Sequence, residues 1–317
     1  MKIITLTLNP AFDIHCEIAG FRPYHENLAH ITANDAGGKG INISRALTAN
    51  GVDNLAFVLL GEENGADFER ALVRDGISCR KLTVPGRIRE NITCHTPGVP
   101  ETRISFSGFS VDGGCLTEVG DWLDTAVDED TVVTFTGRAP EGADIAHVME
   151  LLGRVRRRGG RLVIDSRSLQ LAHLRAVKPW LIKPNQEEIS HYLRRDVTCF
   201  EQIAAAAEQL HRDGIANVLV SLGEQGAMLV CEQGMFTATA PQVTVCSTVG
   251  AGDSMIAGFL AAEQQGASAR ERLRLAVAYG SAACMTPGTR PPEGEEIARL
   301  LPLIQVEKQV QKKHLRY

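Results

Sequence analysis

Six short apolar runs, Ile3 to Leu8, Leu55 to Leu60, Thr131 to Phe135, Leu162 to Ile164, Trp180 to Ile182 and Val218 to Val220, lack the polar and apolar alternation of a half-exposed strand. A strand without that alternation is buried on both faces, the condition of a parallel sheet covered by helices. Helical stretches separate the runs: Asn42 to Asn50, Gly65 to Arg74, Ile145 to Arg157, Cys199 to Arg212, Met255 to Gln264 and Glu271 to Met285, each ending near glycine or a polar cluster. Together they predict an α/β fold, a mostly parallel sheet with crossover helices on its faces. No repeat, low-complexity tract or linker interrupts the pattern, so residues 1–317 are expected to form a single domain with insertions.

Two segments change the period from a continuous run to strict alternation. Every second residue of Phe12 to Ile18 is apolar, and Asn91 to Thr96 and Arg103 to Ser107, joined through Pro97-Gly98-Val99-Pro100, read as a hairpin with one apolar face. Such a sheet does not fit inside a parallel core. A small antiparallel β lid, made by insertions at residues 10–35 and 88–110, is therefore expected.

Charge limits the partners. Thirty-three Lys and Arg against thirty-eight Asp and Glu leave −5, which argues against a broad basic surface for nucleic acid or anionic lipid. Any anionic ligand must be met locally. The first apolar run reaches Asn9-Pro10 too soon for a signal segment, and no run of about eighteen apolar residues follows. A cytoplasmic protein with neither a membrane nor a nucleic-acid partner is expected. The eight cysteines are dispersed singly and read as small core hydrophobes, and His25 and His30 lack the neighbours of a zinc site. Arg154 to Arg158, at a helix C-terminus, and the tail Glu307 to Tyr317 read as solvated surface.

The chemistry concentrates in three glycine-bearing or polar turns. Gly250-Ala251-Gly252-Asp253-Ser254 opens a helix, where converging backbone N–H groups and the helix dipole favour an anion. A carboxylate at Asp253 is repelled by bound phosphate unless it has work to do, such as accepting a proton from an attacking alcohol; the plain alternative is a helix cap. Gly37-Gly38-Lys39-Gly40-Ile41-Asn42 is a second such turn, but neither its spacing nor the first strand fits a Walker loop or a dinucleotide fingerprint. Lys183-Pro184-Asn185 follows a strand and opens a helix. It places Asn185 and Glu188 one turn apart, a spacing suited to a hydrated Mg²⁺ held through water.

With Thr7-Leu8-Asn9-Pro10-Ala11-Phe12-Asp13, Asp165-Ser166, Ser221-Leu222-Gly223, Gly226-Ala227 and Ser247 to Ser254 in the same order, these motifs resemble the ribokinase-like (PfkB) carbohydrate kinases. The resemblance spans nearly the whole chain and is nearest the phosphosugar branch of 1-phosphofructokinase and tagatose-6-phosphate kinase. It implies an ATP-dependent phosphotransferase with an alcohol acceptor, a ribokinase-like sheet with a β lid, Mg²⁺ with ATP, and a homodimer through the lid. Asp253 then corresponds to the catalytic base and Gly250, Ala251 and Gly252 to the anion hole. Asp13, Gly37, Gly38 and Asn42 correspond to sugar-binding positions, and Lys183, Asn185, Ser221, Gly223, Gly226 and Thr248 to the nucleotide side.

Ser247-Thr248, where kinases of free sugars carry Asp-Thr, favours a phosphorylated acceptor, which needs cations: Lys39, Arg89 and, on the other lid strand, Arg103. The resemblance thus implies conversion of fructose 1-phosphate to fructose 1,6-bisphosphate, with tagatose 6-phosphate or fructose 6-phosphate as other acceptors. A non-catalytic sugar-phosphate sensor on the same fold is the alternative of another class. Three departures stand out. Thr136-Gly137-Arg138-Ala139-Pro140 replaces the usual Ser-Gly-Ser-Leu-Pro, so Arg138 either adds a phosphate contact or marks a different acceptor. Arg87-Ile88-Arg89-Glu90-Asn91 differs from Thr-Arg-Ile-Asn. Thr286 to Arg290 departs from the Asn-x-Gly pattern near a monovalent-cation site, leaving a potassium requirement open.

Overall fold

The computed structural model describes residues 1–309, and the chain divides into two compact units. The N-terminal unit comprises Lys2–Thr48 and Asp53–Gly160. Its strands are β1 (Lys2–Thr7), β2 (Ala11–Glu17), β3 (His30–Gly37), β4 (Leu55–Gly61), β5 (Cys79–Val84), β6 (Arg89–His95), β7 (Thr102–Ser105) and β8 (Thr131–Thr136). Four of them form a parallel sheet in the order β8-β1-β4-β5. β1, β4 and β8 are buried along nearly their whole length, which is why their sequences run apolar without alternation. β5 is the edge strand; its Arg80 and Lys81 face solvent, and this polarity hid it from a search for apolar runs.

Helices α1 (Lys39–Ala49), α2 (Gly65–Arg74), α3 (Gly113–Ala126) and α4 (Ile145–Arg157) accompany this sheet. α2 buries Phe68, Ala71 and Leu72, and α4 buries Val148, Leu151, Leu152 and Val155, each a stripe of helical period. The Asp144 side chain caps α4 by accepting from the Ala146 N–H at 2.9 Å. The arginine cluster at its end is not wholly solvated surface. Arg154 donates to Asp121 at 2.5 Å and Asp124 at 3.1 Å, both on α3, and is only 19% exposed. α3, which buries Leu116, Val119 and Leu123, supplies the acids that draw Arg154 in.

The other four strands form a separate sheet in the order β3-β2-β6-β7. Its outer pairs are antiparallel, as alternation predicts, while the central pair β2 and β6 runs parallel. One face carries Ile14, Ile92 and Ile104 in one cross-strand row and Ile31, Cys16 and Cys94 in the next. The other carries Asp13 and Asn91, directly paired in register.

The C-terminal unit comprises Met1, Ala49–Val52 and the chain from Arg161. Its strands are β9 (Arg161–Asp165), β10 (Leu181–Ile182), β11 (Asn217–Ser221), β12 (Ala227–Cys231), β13 (Gly234–Ala238) and β14 (Val306–Gln309). β9, β10 and β11 are parallel, and an antiparallel meander of β12, β13 and β14 continues the sheet. Part of the expected tail is therefore structured: Glu307 and Lys308 are exposed but belong to β14, and residues 310–317 lie outside the described residues.

The helices of this unit are α5 (Leu171–Val177), α6 (Gln186–Leu193), α7 (Phe200–Arg212), α8 (Ala251–Gln264), α9 (Ala269–Ala283) and α10 (Gly294–Leu300). α8 is buried from Asp253 through Ala262, a helix apolar on all sides and enclosed on all sides. A side chain at Gly258 would meet the Leu275 carbonyl and the Tyr279 ring, so glycine sets the close approach of α8 to α9. All eight cysteines are free; Cys16, Cys94 and Cys231 fit the core reading, whereas Cys199 and Cys246 are exposed. Among the described residues no helix is long and apolar enough to cross a membrane.

Candidate active site

In the C-terminal unit the turn before α8 holds Gly250 at φ 80°, a left-handed conformation that glycine adopts without strain. It starts α8 with the N–H groups of the first turn unpaired within the helix, the arrangement that receives an anion. Asp253 sits in this first turn and is only 5% exposed. The N-cap residue itself is Gly250, which has no side chain to cap with.

Lys183 comes to the same turn. Its Nζ lies 2.9 Å from the position a Cβ on Gly252 would occupy and 3.7 Å from Asp165 Oδ2. Lys183 and Asp165 are 5% and 4% exposed, a buried ion pair. A charge taken out of water is costly unless it is paired and hydrogen-bonded, so Asp165 is what lets an ammonium stand beside the glycine turn. In the sequence Asp165 is marked by the Asp165-Ser166 motif, which by itself attaches no role to the carboxylate.

A cavity of about 1080 Å³ opens nearby, lined by Asn185, Ser221, Gly223, Gly226, Thr248 and Gly252, with Val243, Val245, Val277 and Cys284 among its apolar walls. Five of the six nucleotide-side candidates therefore line one cavity; Lys183 is not among its lining residues. Gly226, at φ 100°, has a structural role as well, since any Cβ there would collide with the Ala238 carbonyl. Asn185 and Glu188 form a reciprocal capping box at the start of α6. Asn185 Oδ1 accepts from the Glu188 N–H at 2.8 Å, and Glu188 Oε2 accepts from the Asn185 N–H at 3.1 Å. Arg167 Nε donates to the other Glu188 oxygen at 3.3 Å. Both Glu188 oxygens keep lone pairs, which leaves acceptors for a cation held directly or through water. Among the described residues no group of three or more His, Cys, Asp or Glu is placed to hold a metal.

In the N-terminal unit the second glycine turn packs against β1 and β2. A side chain at Gly37 would fall on the Asp13 carboxylate, and one at Gly38, at φ 116°, would lie 2.8 Å from Thr7 Cγ2. α1 then begins at Lys39. Asn91 Nδ2 donates to Asp13 Oδ1 at 2.9 Å, and Arg89 Nη1 donates to Asn91 Oδ1 at 3.1 Å, so one amide orients both the acid and the arginine. Arg45, 6% exposed, does the same for Asn42: Nη1 donates to Asn42 Oδ1 at 3.2 Å, Nε donates to Asp75 at 2.9 Å, and Nη2 donates to the Ala36 carbonyl. Arg45 had no sequence signal, and Asn91 stood only at the end of the Arg87 to Asn91 motif with no role attached, because the roles of both depend on register and burial. Arg103 is exposed and acts on Asp13 through its charge.

Burial pushes the Asp13 carboxyl above its ordinary value, opposed by the Asn91 hydrogen bond and by the charges of Arg89, Arg103 and His15. A folded-state pKa above the unfolded one means that Asp13 contributes most stability below its unfolded pKa and loses it as pH rises through the folded value. Asp13→Asn is therefore expected to melt higher than the wild type at pH 7, the gain shrinking towards pH 4, while sugar turnover falls. Thermal melts across that range check this; a lower melting temperature at pH 7 would contradict it.

Residues 8–295 match the pfkB family of carbohydrate kinases. The chain belongs to this family. It is 34% identical over 291 residues to the 1-phosphofructokinase of Escherichia coli K12, covering 89% of this chain and 90% of that one. It is 31% identical over 282 residues to the 1-phosphofructokinase of Haemophilus influenzae, covering 88% and 90%. The crystal structure of phosphofructokinase-2 from Escherichia coli in complex with potassium superposes with a TM-score of 0.90 at 26% identity, covering 95% of this chain and 98% of that one. As a pfkB carbohydrate kinase the chain is a phosphotransferase of the phosphofructokinase type, with a ribokinase-like α/β fold, acting on a sugar phosphate.

Proposed function

We propose that this kinase transfers the γ-phosphoryl group of ATP to the primary alcohol of a ketohexose monophosphate, converting fructose 1-phosphate to fructose 1,6-bisphosphate. The observation that carries the reading is Asp253, a buried carboxylate in the first turn of a glycine-led helix, with the Lys183 ammonium against the same turn. A base beside an anion-stabilising turn is what phosphoryl transfer to an alcohol needs. Two relatives named 1-phosphofructokinase, at 34% and 31% identity, support the choice of acceptor.

Asp253 takes the proton of the attacking hydroxyl. The N–H groups of Gly250, Ala251 and Gly252, with Lys183, receive the charge of the transferring group. Asp13 and Asn42 orient the sugar hydroxyls, Gly37 and Gly38 let the sugar approach the backbone, and Lys39, Arg89, Arg103 and Arg138 supply cations for its phosphate. The nucleotide is held by Lys183 and by the cavity residues Asn185, Ser221, Gly223, Gly226 and Thr248. Mg²⁺, held through water by Asn185 and Glu188, would neutralise the phosphate oxygens. Thr289 Oγ1, buried without a partner close to Gly250, is an oxygen suited to a monovalent cation.

The four-stranded sheet is proposed to serve as the lid of a single cytoplasmic kinase domain and as the contact between two copies. In support, Ile31 and Ile104 on its apolar face are 60% and 43% exposed. ADP release with fructose 1-phosphate, fructose 6-phosphate, tagatose 6-phosphate and fructose tests the reading. The highest kcat/KM is expected with fructose 1-phosphate, and turnover of unphosphorylated fructose alone would overturn it.

A further inference from the structure

Asp75 is a carboxylate that its own helix does not favour. It is the C-cap of α2, its N–H donating to the Ala71 carbonyl at 3.0 Å, and the partial negative charge at a helix C-terminus disfavours an acid there. Its side chain is 21% exposed, and Oδ1 lies 3.7 Å from the exposed Arg74. Oδ2 has a buried partner: it accepts from Arg45 Nε at 2.9 Å and lies 2.9 Å from Arg45 Nη2.

Arg45 is enclosed within α1, and all three nitrogens of its guanidinium are engaged. Nε meets Asp75, Nη1 donates to Asn42 Oδ1 at 3.2 Å, and Nη2 donates to the Ala36 carbonyl. Asn42 stands three residues earlier on the same face of α1, and Ala36 is the last residue of β3 but one, directly before Gly37. Because any side chain at Gly37 would strike the Asp13 carboxylate, the path of the chain at Ala36 sets the room left for that acid. Arginine carries donors only, so the Asn42 amide must turn its oxygen to Arg45 and its Nδ2 the other way. One planar fork thus fixes both the Asn42 amide and the backbone beside Asp13, and Asp75 holds the fork.

We propose that Arg45 and Asp75 are positioning residues for the acceptor, Asp75 acting on the sugar from the far end of α2 through Arg45 and Asn42. The inference rests on the reading above that Asn42 and Asp13 hold sugar hydroxyls. A donor at Asn42 and an acceptor at Asp13 suit the hydroxyl groups of one sugar only while their relative placement is kept. Charge alone does not keep it. A lysine ammonium is a single point on a flexible stem and cannot meet three acceptors in one plane.

The test reads the KM for the acceptor against the KM for Mg-ATP. Arg45→Lys keeps the charge and loses the fork, and is expected to raise the KM for fructose 1-phosphate at least about 10-fold with the KM for Mg-ATP within about twofold. Asp75→Ala leaves Arg45 its contacts with Asn42 and Ala36, and is expected to raise the same KM about threefold. A merely structural role would lower the active fraction and leave both KM values as they are. In the double variant Arg45→Lys with Asn42→Ala, the rise is expected to fall well short of the product of the two single effects, because Arg45 acts on the sugar through Asn42. Equal rises of both KM values in Arg45→Lys, a full product in the double variant, or an unchanged acceptor KM in Asp75→Ala would overturn the assignment. The comparison runs on whichever of the four sugars the wild type phosphorylates, so failure of fructose 1-phosphate alone would refute that acceptor and not the positioning. NMR of the Asn42 side-chain amide, assigned with Asn42→Ala, decides the positioning even if no sugar is turned over. Its resonances are expected to shift in Arg45→Lys and in Asp75→Ala, and wild-type shifts in both would overturn the proposal.

Discussion

Asp253→Asn is expected to lower kcat at least about 10²-fold while leaving the affinity for ATP nearly unchanged. Asparagine has the same shape and keeps an oxygen at the same place, so the glycine turn and α8 should be undisturbed. What it lacks is the capacity to take a proton. Because Asp253 is 5% exposed, bulk water has little access to replace the base. The loss should therefore appear in the chemical step and not in binding. Single-turnover kinetics with Mg-ATP and fructose 1-phosphate separate the two; a phosphoryl-transfer rate within threefold of the wild type would remove Asp253 from the role of base.

Lys183→Met is expected to act on stability and catalysis together. Removing the ammonium leaves the Asp165 carboxylate, 4% exposed, without the cation beside it, which costs about 3–5 kcal/mol. It also withdraws the positive charge from the Gly252 turn, a loss of about 10²-fold in kcat by analogy with removing one donor from an anion hole. The double variant Lys183→Met with Asp165→Asn separates the effects. Neutralising both partners should restore most of the stability, read by urea unfolding, and leave kcat low. Recovery of kcat along with stability would mean that Lys183 serves the fold alone.

The sequence made the strands that are buried on both faces legible, because nothing but a parallel sheet between helices asks for runs such as Leu55 to Leu60. β5 escaped because an edge strand carries charges. The glycines of the two turns were legible for a related reason: Gly250 needs a positive φ, and Gly37 leaves room for Asp13, so only glycine fits. Asn91 and Arg45 were not legible. Asn91 meets Asp13 across 78 residues of chain, through the register of two parallel strands that alternation alone does not specify. The spacing of Asn185 and Glu188 has two physical uses, since three residues on a helix start serve a capping box, which the structure shows, as well as a hydrated cation.

The central claim is transfer of a phosphoryl group to the free primary alcohol of a sugar that already carries one phosphate. Phosphorus NMR of a reaction holding the purified protein, Mg-ATP and fructose 1-phosphate reads it directly. The account predicts a second sugar phosphomonoester resonance, growing in step with ADP and equal in final intensity to the first. Release of ADP with inorganic phosphate alone, and no second phosphomonoester, would contradict it.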